Sequence, residues 1–297
     1  MRITNNMISA QLIHDMNVNL ERLSKLQTQA ATAKKFKSAS DDPQSARSAL
    51  TLRTSLESAQ AYLNTAETTD EWMTATETAM AQMENLAGKA IDLALKGISD
   101  GNDGNRPLLG AEVNGLLQQA LETANTQHQG EYIFAGYKTK TQPFALQTGT
   151  PPAPDTIIYN GDAGLIQRTL GTGNTVTANI DGDVTFTPLL TAFITARDAL
   201  NNDDPIAVQA AVTGLQTALA DEMQARSLNG LRQRQVRTAQ TRLEDTQTFL
   251  TKQLDKAENA DMVETVTLLR QQENTYQTVL EVSRRALEMV SLFDVLG

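Results

Sequence analysis

The residues with chemistry to offer are few, and their spacing is wrong for most of it. His14 and His128 stand far apart, without the short spacing of a metal-binding pair. Asp100 to Ala111 has the faint outline of a calcium loop. Its fifth position is Gly104, its sixth Asn105 rather than Gly, and its twelfth Ala111 rather than Glu, so it reads as an interhelical turn. Gly171-Thr172-Gly173 lacks the third glycine and the following helix of a dinucleotide loop, and reads as hairpin material. Neither Gly-x-Ser-x-Gly nor a phosphate loop occurs. The absence of cysteine removes disulfides, Cys-bound zinc and thiol catalysis together. Asp70, Glu77 and Glu84 recur every seven residues and so share one face of a helix. A bundle-edge face accounts for them better than acid–base catalysis, which needs a raised pKa. Lys34, Lys35 and Lys37 close a helical stretch, where the helix dipole favours cations; contact with an acidic partner is the alternative. No enzyme, cofactor or metal site is expected.

The elements that would carry these residues are long helices. Step by fours and threes from Met262 through Val266, Leu269, Glu273, Tyr276, Leu280, Ser283 and Leu287 to Val290, and seven of the nine positions are apolar. This is a heptad stripe, the kind a helix lays along another helix. A shorter one runs through Ile13, Met16, Leu20, Leu23, Gln27 and Ala30, within a helix expected over 6–37. The same stripes would serve as ordinary intramolecular core in a bundle. Asp42 and Pro43 suit the start of a helix reaching Lys96, and Asp203-Asp204-Pro205 the start of another that Gly230 would loosen. A further helix is expected from Pro107 to His128. Between Gly130 and Pro188 glycine and proline concentrate around short β-prone runs, including Val184 to Phe186. Asn160-Gly161 and Asp181-Gly182 read as hairpin turns. Helix resumes at Leu189.

The fold class expected is mainly α: a long-helix bundle with terminal coiled-coil segments and a small β-rich insertion. Residues 1–37 and 255–297 would form the terminal domain, 38–136 and 189–254 the bundle, and 137–188 the insertion. The insertion would fold separately, so that joining Thr139 to Thr187 would be tolerated. A net charge of −10 argues against nucleic acid as a partner. No run is apolar enough to span a membrane, and Met1 to Asp15 has no signal-peptide core.

Particular motifs add a resemblance. Leu23-Ser24-Lys25-Leu26 leading to Ser38-Ala39-Ser40-Asp41-Asp42-Pro43 resembles the N-terminal signature of bacterial flagellins and their hook-associated relatives. Thr65 to Asp70, Glu258 to Glu264 and Ser291 to Leu296 are similar to later segments of that family; Asn259 stands where the family often has Asp. Met1-Arg2-Ile3-Thr4, Gly130 to Tyr137 and Phe293 to Leu296 resemble the hook-associated branch at the hook–filament junction more than filament flagellin. The resemblance implies a structural axial protein of the flagellum, outside the cell and exported without a cleaved signal. Its implied partners are copies of itself in a ring, hook-associated protein 1, flagellin and an export chaperone. On this reading Ile13, Met16, Leu20, Leu23, Met262, Val266, Leu269, Tyr276, Leu280, Leu287 and Val290 form the assembly interface. Filament flagellin is the near rival. A coiled-coil signalling module is the distant one, and the β insertion counts against it.

Overall fold

The computed structural model describes residues 5–99, 104–150 and 154–296. Six helices and three two-stranded antiparallel sheets follow in the order α1 (Asn5–Thr32), α2 (Pro43–Ile98), α3 (Arg106–Ala124), β1 (Gln127–His128), β2 (Glu131–Tyr132), β3 (Phe144–Gln147), β4 (Thr156–Tyr159), β5 (Gln167–Gly171), β6 (Asn174–Thr177), α4 (Gly182–Asn201), α5 (Pro205–Glu258) and α6 (Met262–Leu296). The fold is mainly α, as the periodicity predicts. Contacts divide the chain into one unit of residues 1–58 and 246–297 and a second of 59–245, with both boundaries inside the long helices α2 and α5.

Local chemistry sets the helix ends. The Asp42 carboxylate accepts from the Ser45 N–H at 3.1 Å, and Pro43 takes the first helical position of α2. Asp204 accepts from the N–H groups of Ile206 at 2.9 Å and Ala207 at 3.1 Å at the head of α5. α5 then runs unbroken through Gly230, because its neighbour Asn229 is buried and donates to the Met73 carbonyl at 3.2 Å, which ties this turn to α2.

Asp181-Gly182 is not a hairpin turn. The Asp181 carboxylate caps α4, accepting from the N–H groups of Asp183 and Val184, and the β-prone run Val184 to Phe186 lies in the first turns of that helix. β-branched and aromatic residues carry only a weak preference, and a good cap outweighs it. Helix α3 stops at Ala124 rather than reaching His128. Asn125 leaves the helix and its side chain turns to the Phe144 carbonyl at 2.9 Å, so that Gln127–His128 pairs with Glu131–Tyr132.

The second unit holds the molecule's core. Phe134, Phe144, Phe186 and Phe193 are fully enclosed with Met80, Met83, Leu117, Leu189 and Leu200. Phe134 and Phe144 each meet Phe186 edge-on, at 4.6 and 6.1 Å. Phe144 and Ile180, from the stretch expected to fold separately, share this core with α2, α3 and α4, so the β-rich stretch has no interior of its own. Gly136 anchors its entry. Its φ is +66°, and an added Cβ would lie 2.1 Å from the Asp162 carbonyl oxygen, so only glycine fits.

Candidate assembly surface

In the first unit α1 packs along α6. The half-buried positions of α1 alternate threes and fours through Leu12, Met16, Asn19, Leu23, Leu26 and Ala30. The inward positions of α6 do the same through Thr265, Leu269, Gln272, Tyr276, Val279, Ser283 and Ala286, with Thr265 and Ser283 buried and the others half-buried. The intramolecular seam therefore shares only alternate members with the stripes expected from sequence. Met16, Leu23, Ala30, Leu269, Tyr276 and Ser283 belong to both. Ile13, Leu20, Val266 and Leu280 are 60, 48, 37 and 39 % exposed, and Met262 is exposed too. The side chains of Leu287 and Val290 lie outside the described residues.

Each terminal helix thus carries apolar residues on three neighbouring rows where one seam needs two, the third row of α6 being half polar with Thr265 and Gln272 beside Val279 and Ala286. The row missed from sequence, Leu12, Leu26 and Val279, lies about 100° round the helix from the exposed row, one residue back in the chain. Its signal was present as a second valid heptad frame. The frame containing Ile13 and Val266 looked better because the true seam has polar members. Asn19 and Gln272 meet there, the Gln272 Nε2 donating to the Asn19 Oδ1 at 3.0 Å. One polar pair in an apolar seam sets register, since any sliding leaves both amides unpaired.

A latch closes one end of this pair. Ala33 leaves α1 at φ +53°, and the Ala260 N–H donates to its carbonyl at 2.9 Å, while the Lys35 N–H donates to the Glu258 carbonyl at 2.8 Å. The Glu258 carboxylate is buried and takes Arg53 Nη2 at 2.7 Å and Lys34 Nζ at 3.1 Å. The Arg53 guanidinium, helped by Lys34, holds this carboxyl below the ordinary glutamate value against the effect of burial. Lys34 and Lys35 are thus engaged within the chain, Lys35 Nζ on the Lys256 carbonyl. The Asp41 carboxylate accepts from the Ser38 N–H at 2.9 Å and the Lys37 N–H at 3.0 Å, bonds that hold it below its ordinary value and shape the turn into α2.

Among the described residues the buried side chains of this unit are Ala49, Glu258, Thr265 and Ser283. Ala49 is the only apolar one. The other buried apolar residues lie in the second unit. Charge divides in the same way. The whole surplus of acidic over basic residues falls between 59 and 245, and the terminal portions together balance. No group of three or more His, Cys, Asp or Glu with metal-binding geometry exists among the described residues.

Comparison with known proteins gives matches to flagellar proteins. Residues 3–139 match the bacterial flagellin N-terminal helical region. Flagellar hook-associated protein 3 of Escherichia coli K12 is 25% identical over 226 residues, spanning 74% of this chain and 68% of that protein. Its counterpart in Salmonella typhimurium is 28% identical over 151 residues, half of this chain and 48% of that one. Among solved structures, a hook-associated protein from Vibrio parahaemolyticus aligns with TM-score 0.66 at 17% identity, covering 74% of this chain and all of that one. FlgL of Bacillus cereus aligns with TM-score 0.61 at 20% identity, covering 69% and 99%.

Proposed function

We propose that this chain is a flagellin-family protein and a structural adapter of the flagellar hook–filament junction, assembling through its terminal helices. The observation that carries the assembly mechanism is the want of a core in the first unit. Helices α1 and α6 bury no large apolar side chain against each other among the described residues, yet keep Ile13, Leu20, Met262, Val266 and Leu280 exposed. A row of apolar side chains on a long helix is stable when another helix covers it. Further copies of the chain in a ring cover these rows, and hook-associated protein 1 and flagellin meet the two faces of that ring. Balanced charge lets the terminal units approach one another, while the acidic surplus of 59–245 keeps free copies soluble. The chain reaches the junction unfolded, with a chaperone on its C-terminal region.

Deletion of the gene tests the assignment. Cells without a junction adapter build hooks and shed flagellin into the medium, and the intact gene restores filaments. Cells that instead stop secreting flagellin, with no other flagellin gene silenced, point to a filament flagellin and reject the adapter reading.

A further inference from the structure

Glu222 stands in α5 with none of its surface exposed, and neither carboxylate oxygen has a hydrogen-bond partner. An ionised carboxylate in such a place is costly. The charged groups acting on it are Glu84 and Glu77 on α2 and Arg226 one turn along its own helix. Arg226 is already engaged: its Nε donates to Glu77 Oε1 at 2.7 Å and its Nη1 to Glu84 Oε2. Three carboxyl groups therefore share one guanidinium. An ionised Glu222 would either sit as an unpaired charge beside two others or draw Arg226 away from Glu77 and Glu84. The second outcome releases the bridge that ties α2 to α5.

We propose that Glu222 is a proton-binding site built into the α2–α5 seam: the folded chain holds it as the neutral acid, and loss of that proton loosens the bridge made by Arg226. Burial pushes the Glu222 carboxyl up to about 7, the charges of Glu84 and Glu77 push the same way, and Arg226 opposes them. In the unfolded chain the same group ionises near about 4.3. Between those values the folded chain keeps a proton that the unfolded chain gives up. The stabilisation is complete below the lower value, declines as pH rises through the window, and is gone once the folded acid has ionised as well.

The test uses the full-length chain. The Glu222 side-chain carboxyl carbon, assigned in the unsubstituted protein, is titrated by NMR, and denaturant unfolding is compared with that of Glu222→Gln from about pH 4.5 to about pH 8. The expected midpoint is well above the ordinary glutamate range. Relative to the Gln variant, the unsubstituted protein loses on the order of a hundredfold in its folding equilibrium across that window. An ordinary midpoint, or two stability curves that stay parallel, overturns the proposal. If Glu222→Gln does not fold, the carboxyl titration alone decides: a raised midpoint supports the site and an ordinary one refutes it.

Discussion

Glu258 closes the terminal helix pair with one carboxylate and two cations from different segments, Lys34 after α1 and Arg53 in α2. Removing the carboxylate leaves two cations that are both about half exposed and so can return to water. Glu258→Ala should therefore cost about 1–2 kcal/mol, less than breaking a fully buried pair. Acid should reproduce the loss. The folded carboxyl is held below the ordinary value, so its contribution is complete above that value and disappears as pH falls through the lowered one. Unfolding of the unsubstituted chain and of Glu258→Ala, followed from neutral to acid pH, should converge at the acid end. A constant gap would mean that the ion pairs contribute nothing there. Residues of this kind were partly legible from sequence. Asp42 and Asp204 announce themselves as caps because a short acid before a helix start has one obvious use. Glu258 and Lys34 lie over two hundred residues apart, and no local pattern joins them. Asp70, Glu77 and Glu84 were legible as one face, but their use was not: Asp70 takes Arg237 at 3.0 Å, and the other two take Arg226. The spacing of acids on α2 says nothing about where arginines fall on α5.

Helices α1 and α6 show why a heptad can be read correctly as a stripe and wrongly as a seam. Two frames fit each helix, and apolar count favours the frame whose outer half is exposed in the single chain. The two rows should respond differently to a charge. Leu280 is exposed, so Leu280→Asp places its carboxylate in water and should leave unfolding of the isolated chain nearly unchanged while abolishing filament attachment. Leu23, half-buried in the α1–α6 seam, should behave otherwise, and Leu23→Asp should lower stability as well as assembly. Equal melting losses for both variants would show that the outer row is ordinary core. The β-rich stretch gives a matching lesson. Its turns and strands were visible as composition, but its dependence on the helices was not, since Phe144 and Ile180 belong to the one core that α2, α3 and α4 build. Joining Thr139 to Thr187 would remove Phe144, Ile180 and Phe186 from that core, so the shortened chain should unfold readily instead of tolerating the excision. Phe144→Ala alone should cost about 3–5 kcal/mol by chemical denaturation, as other enclosed aromatics do. A loss near zero would mean the stretch is independent after all.

At the scale of the whole molecule, burial is shared out unequally. Residues 59–245 enclose four phenylalanines and the buried methionines, and such an interior keeps helices closed without help. Among its described residues the terminal unit encloses only Ala49 of the apolar side chains and adds three buried polar residues, of which Ser283 has no hydrogen-bond partner. Half-buried side chains recover a fraction of the roughly 1.5–3 kcal/mol that full burial of a large apolar side chain supplies. Each ordered residue meanwhile costs about 1–2 kcal/mol of backbone entropy. One two-helix seam with a polar pair in its middle is therefore marginal alone, and the proposed assembly would stabilise it by covering Ile13, Leu20, Val266 and Leu280 with neighbouring copies. Amide hydrogen exchange on dilute, demonstrably monomeric protein measures this directly. Exchange should be fast over 13–30 and 262–290 and slow over 56–93, since local opening free energy follows enclosed apolar contact. In assembled protein the terminal stretches should become as protected as the centre, and Leu280→Asp should prevent that gain without altering the centre. If the terminal helices of the monomer already match the centre, the exposed rows are not what completes them, and assembly has some other driving force.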